Sequence, residues 1–502
     1  MGIPSYFNFI LKKHSNIIKK KSFVRSDYLF IDANSLIYDT IYDNKINCND
    51  KNDDIYIKIY DNITKMIKTV SPNKKTYICF DGIPPYAKIV QQRQRRYKGS
   101  LTNKLLNKKK VWNTNQITPG TDFMKNLDLF LINKYKNSKN ISFSGSIEPM
   151  EGEHKISKII RSKIINNDDN IIIYGLDADL FILGLLLVNE NNRIFLYKET
   201  KHFSYIKNIN EKNDYYFDLN IFSEQISLFL KNPCKYSATY DYCFLTFLCG
   251  NDFMPHTPSI NIRNNGITLI IDKYIEYIEK YKESIINKKT KSINWNNLRK
   301  YLLMFVKDEN ENILNNIKWK VNLNITANSY EEKINMLPCV DIENELFLYN
   351  NLDDYNTIIL NSDSSVCECK NYLEVLEWTW YYYNGNNLNN TVYYKYENGP
   401  LLKDIIKYIP VTNRENILQK KESPEIDVNT LLYYVLPYEE HDDIIPKNVS
   451  KKINNIIYSE CPELKNIKYT INYFLCKYFW ESHLKFTNLD IYKLNNIICK
   501  NI

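Results

Sequence analysis

Short apolar runs that end at an acidic residue occur three times in the first half of the chain, and they constrain the fold most. Runs of four or five apolar, β-prone residues are typical of buried strands. The runs and the acids that follow them are residues 28–31 with Asp32, residues 76–80 with Asp81, and residues 171–174 with Asp177 and Asp179. The pattern predicts three strands that each deliver a carboxylate at the carboxyl end.

Helical patterns lie between and after these strands. Residues 55–70 and 123–135 are amphipathic, and the order strand, helix, strand predicts an α/β fold with a mostly parallel sheet flanked by helices. After about Gly266 the pattern changes to long helices, such as residues 268–286 and 297–307. A chain of 502 residues is expected to form two or more domains. We predict a first domain over residues 1–270 and a mainly α-helical second region over residues 271–502.

The acids are expected to converge, because the carboxyl ends of parallel strands line one crevice. Two further segments carry acids, Glu151-Gly152-Glu153 and Gly250-Asn251-Asp252. Any one of these acids could be a helix cap or turn residue. Seven together repel one another unless divalent cations neutralise them, and oxygen ligands suit Mg²⁺ or Mn²⁺. The set favours a two-metal phosphodiesterase site built from these carboxylates.

A basic helix is predicted directly after Asp81, over residues 87–97. Lys88, Gln92, Arg95 and Arg96 fall at positions i, i+4, i+7 and i+8, which share one helix face. Arginine offers a planar fork to phosphate, and lysine offers a point charge. This face predicts a phosphate pocket, although an exposed basic face remains the alternative.

Composition excludes some classes and favours others. The net charge of +8 is compatible with a polyanionic partner without establishing one. The most apolar long window, residues 171–188, contains two aspartates, so we expect no membrane span. The amino terminus lacks a signal-peptide pattern, and eleven scattered cysteines fit reduced thiols. We expect an intracellular protein that starts at Met1 or Gly2, in the cytoplasm, with the nucleus left open.

These motifs occur in the order found in one family. The matching segments include the acids and the basic helix and are spread over the first half of the chain. The segments are Met1-Gly2-Ile3-Pro4, Asp32-Ala33-Asn34-Ser35, Asp81-Gly82, Gln91-Gln92-Arg93-Gln94-Arg95-Arg96, Ile117-Thr118-Pro119-Gly120-Thr121, Glu151-Gly152-Glu153-His154-Lys155, Tyr174-Gly175-Leu176-Asp177-Ala178-Asp179 and Gly250-Asn251-Asp252-Phe253-Met254-Pro255. Together they resemble the XRN-type 5′→3′ exoribonuclease family. A weaker similarity continues through Leu376-Glu377-Trp378 and Tyr381-Tyr382-Tyr383-Asn384-Gly385.

The resemblance implies a PIN or flap-nuclease-like fold whose helical second region completes the active-site channel. It implies a processive enzyme that uses two Mg²⁺ (or Mn²⁺) ions to degrade single-stranded, uncapped RNA with a 5′-monophosphate in mRNA decay. We expect this enzyme to be a monomer. The implied site residues fall into three groups: metal ligands Asp32, Asp81, Glu151, Glu153, Asp177, Asp179 and Asp252; 5′-phosphate ligands Lys88, Gln92, Arg95 and Arg96; and base-stacking residues Tyr38 and Trp378.

The chain departs from the family pattern at several positions. Tyr38 stands where the family commonly has a histidine, residues 389–394 replace a tryptophan-rich stretch, and Glu397 replaces a second histidine. Trp378 could equally be a buried core residue. The long carboxy-terminal extensions of cytoplasmic members are not present in this chain, so we expect the catalytic core alone. The bias towards Asn, Ile, Lys and Tyr would suit a large DNA virus or an AT-rich protist.

Two other functions are alternatives to this exoribonuclease. A flap-type, structure-specific DNA 5′ nuclease would carry a glycine-rich helix-hairpin-helix after the last acids, but Asp252 is followed by Phe253-Met254-Pro255-His256 without one. A non-catalytic RNA-binding scaffold would be expected to lose acids first, and all seven are present. Both remain as alternatives that an assay can separate.

Overall fold

A mostly parallel sheet organises the first half of the chain. The computed structural model describes residues 6–106, 112–162, 164–188, 193–200, 213–323, 326, 329, 332–333, 365–386, 389–412, 417–418, 424–472, 476–487 and 489–502. Within these residues the strands are β1 Ile18–Lys20, β2 Tyr28–Asp32, β3 Lys75–Cys79, β4 Ile141–Ser144, β5 Asn170–Tyr174, β6 Arg193–Tyr197, β7 Tyr215–Asp218, β8 Tyr469–Asn472 and β9 His483–Phe486.

The first seven strands form one sheet in the order β1-β7-β6-β5-β2-β3-β4. Strands β4, β3, β2, β5 and β6 pair in parallel. Beyond β6, strand β7 pairs antiparallel with β6, and β1 pairs antiparallel with β7. Strand β2 lies between β3 and β5, so the three strands predicted from the sequence are direct neighbours. Strands β8 and β9 form a separate antiparallel hairpin.

Helices cover the sheet and form most of the second half. In the described part of the chain they are α1 Tyr6–Lys13, α2 Asn34–Asp43, α3 Asn52–Val70, α4 Tyr86–Leu105, α5 Asp122–Tyr135, α6 Gly152–Arg161, α7 Asp179–Val188, α8 Leu219–Phe229, α9 Lys235–Thr246, α10 Gly266–Tyr281, α11 Trp295–Val306, α12 Glu309–Asn322, α13 Val366–Tyr383, α14 Leu402–Tyr408, α15 Val428–Val435, α16 His441–Ile444, α17 Lys447–Glu460 and α18 Ile491–Asn501. The predicted α/β class with a helical second region is confirmed.

The alternation of side chains along β2 separates two cores. Leu29 and Ile31 pack on one face of the sheet with α3 and α5, whereas Phe30 packs on the other face. The second core is shared with the later helices, because it contains both Leu183 of α7 and Trp380 of α13. The burial of both faces is the condition under which parallel sheets are stable.

One predicted helix is shorter than expected. The pattern over residues 268–286 predicted a helix to Ile286, but α10 ends at Tyr281 because Lys282 adopts a left-handed conformation with φ 53°. The amides of Ile285 and Ile286 then donate to the buried Asp241 carboxylate at 3.0 and 2.7 Å. A tertiary partner for the backbone therefore replaces the last helical turn.

The predicted domain boundary between residues 270 and 271 falls inside α10, and the division into two domains stays a prediction. None of the helices in the described part of the chain combines the length and apolar character that crossing a lipid bilayer requires.

Candidate active site

The carboxyl ends of β2, β3 and β5 bring the predicted acids to one edge of the sheet. Asp32 is the last residue of β2 and pairs in register with Cys79 of β3. Asp81 follows β3 by two residues, and Asn34 at the start of α2 donates to its Oδ2 at 2.8 Å. On the other side of β2, Asp179 opens α7 just after β5. The short, buried strands thus place three acids beside one another.

Helix α6 approaches this edge with its amino terminus. The Gly152 amide donates to Asp81 Oδ1 at 2.7 Å, and a Cβ on Gly152 would lie only 2.6 Å from Asp32 Oδ1. Only glycine allows the helix to come this close. The flanking Glu151 and Glu153 are both buried, so the helix adds two carboxylates to the acids of the sheet.

Lys88 lies inside the acid cluster. Its Nζ is 2.8 Å from Glu151 Oε1 and 2.7 Å from Asp252 Oδ2, and only 9% of the residue is exposed. Burial alone would lower the pKa of Lys88, but the Asp252 and Glu151 charges raise it well above its usual value. Asp252 lies in the loop between α9 and α10. Burial would raise the pKa of its carboxyl group, but nearby positive charges, of which the Lys88 ammonium is the strongest, lower it to about 2.

The acids carry more negative charge than Lys88 can balance. Burial and then the Asp81 carboxylate raise the pKa of Asp32 well above its usual value. Burial and the Asp252 charge raise the pKa of Asp179 to about 7. Such shifts are the signature of carboxylates held together by the fold, and a divalent cation relieves the repulsion.

The donor set fits a divalent cation. Ligand atoms of Glu151, Glu153 and His154 lie within 4.8 Å of one another, and all three residues are buried. The predicted acids carry carboxylate oxygens, which are the donors that hard divalent cations prefer. Asp177 is exposed at the rim of the cluster, whereas Asp179 is only 3% exposed. The structure therefore holds a buried acidic cluster suited to divalent metal.

The basic face of α4 continues from this cluster. Arg96 Nη1 donates to Gln92 Oε1 at 3.3 Å, and Nη2 donates to Thr118 Oγ1 at 2.8 Å. Arg96 Nε is buried with no hydrogen-bond partner among the described residues, while Arg95 is exposed. Burial lowers the pKa of Arg96 to about 10. Lys88 is buried, and Gln92 and Arg96 are partly buried. Arg95 is exposed, and its charge helps to lower the pKa of Asp252 in the acid cluster.

Helix α4 is also anchored through Arg93, a residue for which the sequence suggested no separate role. The Arg93 guanidinium lies 4.6 Å from the ring centroids of both Tyr434 and Phe486, so it contacts α15 and the β8–β9 hairpin. Arg93 is 3% exposed. Arg93 and Arg96 belong to one motif but have different environments, because they point in different directions around the helix and meet different segments.

The two predicted base-stacking residues differ in accessibility. Tyr38 on α2 is half-buried and interacts electrostatically with Arg96. Trp378 on α13 is only 2% exposed; its Nε1 donates to the Asn389 carbonyl at 2.8 Å. Tyr382 stacks against its ring at 4.8 Å. The stacking role of Trp378 stays a prediction, and it requires this ring to be uncovered.

The chain is similar to known proteins over much of its length. Residues 1–200 match the model for the XRN 5′-3′ exonuclease N-terminus, and residues 237–339 match the model for the Xrn1 helical domain. The chain is 29% identical over 356 residues to 5′-3′ exoribonuclease 1 of Saccharomyces cerevisiae, which covers 62% of this chain and 23% of that protein. It is 29% identical over 323 residues to 5′-3′ exoribonuclease 1 of Homo sapiens, covering 55% of this chain and 18% of that protein.

The alignments therefore span less than a quarter of the length of these two relatives. Among solved structures, the catalytic core of Rad2 in complex with DNA substrate is similar with a TM-score of 0.35 and 15% identity, covering 71% of this chain and 84% of that one. The two family matches together span more than half of the chain and include every predicted acid and phosphate ligand. The chain belongs to the XRN 5′→3′ exonuclease family.

Proposed function

We propose that the chain is a processive 5′→3′ exoribonuclease that degrades single-stranded RNA carrying a 5′-monophosphate. One observation carries this proposal: a single helix, α4, presents Lys88 inside the acid cluster and Gln92 and Arg96 beyond it. Lys88 and Arg96 are eight residues apart, which is about 12 Å along a helix at 1.5 Å per residue. One rigid helix therefore places the phosphate donors at a fixed distance from the acids that suit a metal.

The proposed division of roles follows from these positions. The ligands for two Mg²⁺ (or Mn²⁺) ions are Asp32, Asp81, Glu151, Glu153, Asp177, Asp179 and Asp252. When bound, the ions supply Lewis-acid stabilisation of the charge that develops at the scissile phosphate. Gln92, Arg95 and Arg96, with Lys88, bind the 5′-monophosphate, and Tyr38 and Trp378 stack on the terminal base.

This arrangement accounts for repeated cleavage in one direction. Each hydrolysis creates a new 5′-phosphate, which can enter the same donors without release of the chain. A cap or triphosphate would bring additional bulk and charge to donors that include Arg96, whose guanidinium is held by Thr118 at 2.8 Å. Decay of uncapped mRNA by a monomeric protein in the cytoplasm remains the expected setting, with the nucleus left open.

The test compares matched RNAs with 5′-monophosphate, 5′-triphosphate or 5′-hydroxyl ends, together with a circular RNA, in Mg²⁺. We expect only the monophosphate RNA to be converted rapidly to mononucleotides. Asp179→Asn should abolish this loss, whereas Asp61→Asn, at an exposed acid on α3, should not. Cutting of the circular RNA would indicate an endonuclease, and binding without loss would indicate a scaffold; either result would refute the proposal.

A further inference from the structure

Helix α13 of the second region reaches the acid cluster with two consecutive tyrosines. We propose that Tyr382 and Tyr383 are positioning residues that orient two metal-binding carboxylates, so that the second region sets the affinity of the nuclease site for its divalent cation. The inference rests on the metal site proposed above and adds residues to which neither the acid pattern nor the basic helix pointed.

Tyr382 binds Glu151 directly. Its hydroxyl donates to Glu151 Oε2 at 2.9 Å, while Lys88 Nζ lies 2.8 Å from Oε1 of the same carboxylate. Each oxygen of Glu151 therefore has its own partner, and the two partners fix the plane of the carboxylate. A cation that bound one oxygen of Glu151 would leave the phenol of Tyr382 in place on the other oxygen.

The ring of Tyr382 is itself held on both faces. Trp378 stacks on one side with centroids 4.8 Å apart and planes 12° apart, and His154 stacks at 3.9 Å and 28°. Phe253 meets the ring edge-on at 5.6 Å. A ring packed in this way cannot turn its hydroxyl away from Glu151 without opening the core, so the hydrogen bond is preorganised.

Tyr383 makes the equivalent contact with a second acid. Its hydroxyl hydrogen-bonds to the Asp179 carboxylate, and the residue is only 1% exposed. A phenol is neutral near pH 7 because its ordinary pKa is about 10, so both hydroxyls can donate to these carboxylates. One helix end thus supplies a donor to α6 and a donor to α7.

A neutral donor could act on the metal in two opposite ways. If it only withdrew charge from the carboxylate, its removal would strengthen metal binding. If it holds the carboxylate in the ligating orientation, its removal weakens binding, and loss of such outer contacts typically costs about 10- to 100-fold in metal affinity. The sandwiched, immobile ring of Tyr382 favours the second effect.

The experiment measures Mn²⁺ binding to the purified full chain without RNA, by calorimetry and by electron paramagnetic resonance of free Mn²⁺. The variants are Tyr382→Phe and Tyr383→Phe, which remove only a hydroxyl group. Tyr381→Phe is the matched control, because Tyr381 is the adjacent tyrosine on the same helix and is half-buried. Thermal unfolding in EDTA reports whether each variant retains the metal-free fold.

We expect the Mn²⁺ dissociation constant to rise about tenfold or more in Tyr382→Phe and Tyr383→Phe, and to stay within about twofold in Tyr381→Phe. If Tyr382→Phe does not fold, Tyr383→Phe carries the test. An unchanged or tighter constant in the folded variants, or an equal loss in Tyr381→Phe, would overturn the inference.

The result is separable from the proposed function. Weaker Mn²⁺ binding in the two variants of a protein that degrades no RNA would uphold the positioning role and refute the exonuclease. Degradation of monophosphate RNA together with unchanged Mn²⁺ binding in the variants would do the reverse.

Discussion

Replacing Thr118 by valine should impair recognition of the 5′-phosphate without touching any proposed ligand. Thr118 is fully buried, and its only hydroxyl proton is donated to the Asn115 carbonyl at 2.6 Å. The same oxygen can therefore only accept from Arg96 Nη2, at 2.8 Å. Valine keeps the shape of threonine, so the substitution removes the contact that aims the guanidinium and leaves the packing nearly intact.

The size of the effect follows from the kind of hydrogen bond. A bond to a charged group contributes about 1.5–3 kcal/mol. Because each 1.4 kcal/mol corresponds to about tenfold in an equilibrium constant, full loss of orientation raises KM for monophosphate RNA by about 10- to 100-fold. Loss of the hydrogen bond to the Asn115 carbonyl also costs about 0.5–1.5 kcal/mol in the free energy of unfolding. Thr118→Ser retains the hydroxyl and should restore KM.

The assay is a double-mutant cycle on KM for 5′-monophosphate RNA with Thr118→Val, Arg96→Ala and the double variant. Residues that act through one contact are not additive, so Thr118→Val should have little further effect once Arg96 is alanine. Chemical unfolding of each variant separates stability from recognition. Equal losses from Thr118→Val in both backgrounds would show that Thr118 acts on the fold and not on Arg96, and would refute the reasoning.

Three further perturbations test other parts of the structure. Gly152→Ala should weaken Mn²⁺ binding in calorimetry, because the new Cβ would lie 2.6 Å from Asp32 Oδ1, although alanine favours a helix by about 1 kcal/mol; unchanged binding would contradict the close approach. Arg93→Ala should lower the free energy of unfolding by about 1–3 kcal/mol, because its aromatic contacts are lost. The preference for 5′-monophosphate over 5′-hydroxyl RNA should persist at saturating substrate. Loss of this preference in a stable variant would instead assign Arg93 to the phosphate pocket. Burial raises the pKa of Asp241 to about 7. Above its unfolded pKa near 4 the unfolded chain loses this proton first, so the free energy of unfolding relative to Asp241→Asn should fall between pH 4 and 7; a flat difference would exclude the shift.

Much of the nuclease half was predictable because its information is local. The apolar runs at residues 28–31, 76–80 and 171–174 became β2, β3 and β5, and the topology rule for parallel sheets then implied that the acids after them meet. The shared helix face of Lys88, Gln92, Arg95 and Arg96 needed only the helical period. Fold class, family and the acid cluster therefore followed from patterns a few residues long.

Local patterns could not show how similar residues differ in environment. Arg93 and Arg96 belong to one motif, yet Arg93 packs between rings of α15 and β9 while Arg96 contacts Thr118. The sequence left Trp378 as either a stacking surface or a core residue, and only the structure shows that Tyr382 stacks against its ring. In each case the environment is made by segments remote in sequence.

Residue spacing is enough to predict that acids at the ends of parallel strands meet beside a basic helix, since strand ends and helix faces are encoded locally. Spacing does not show which of the 41 tyrosines reach those acids, because that depends on tertiary packing. Tyr382 and Glu151 are 231 positions apart, and no periodicity links them. Their contact exists because α13 packs into the core that covers one face of the sheet, and long-range packing of this kind sets the orientation of groups whose presence the sequence already specifies.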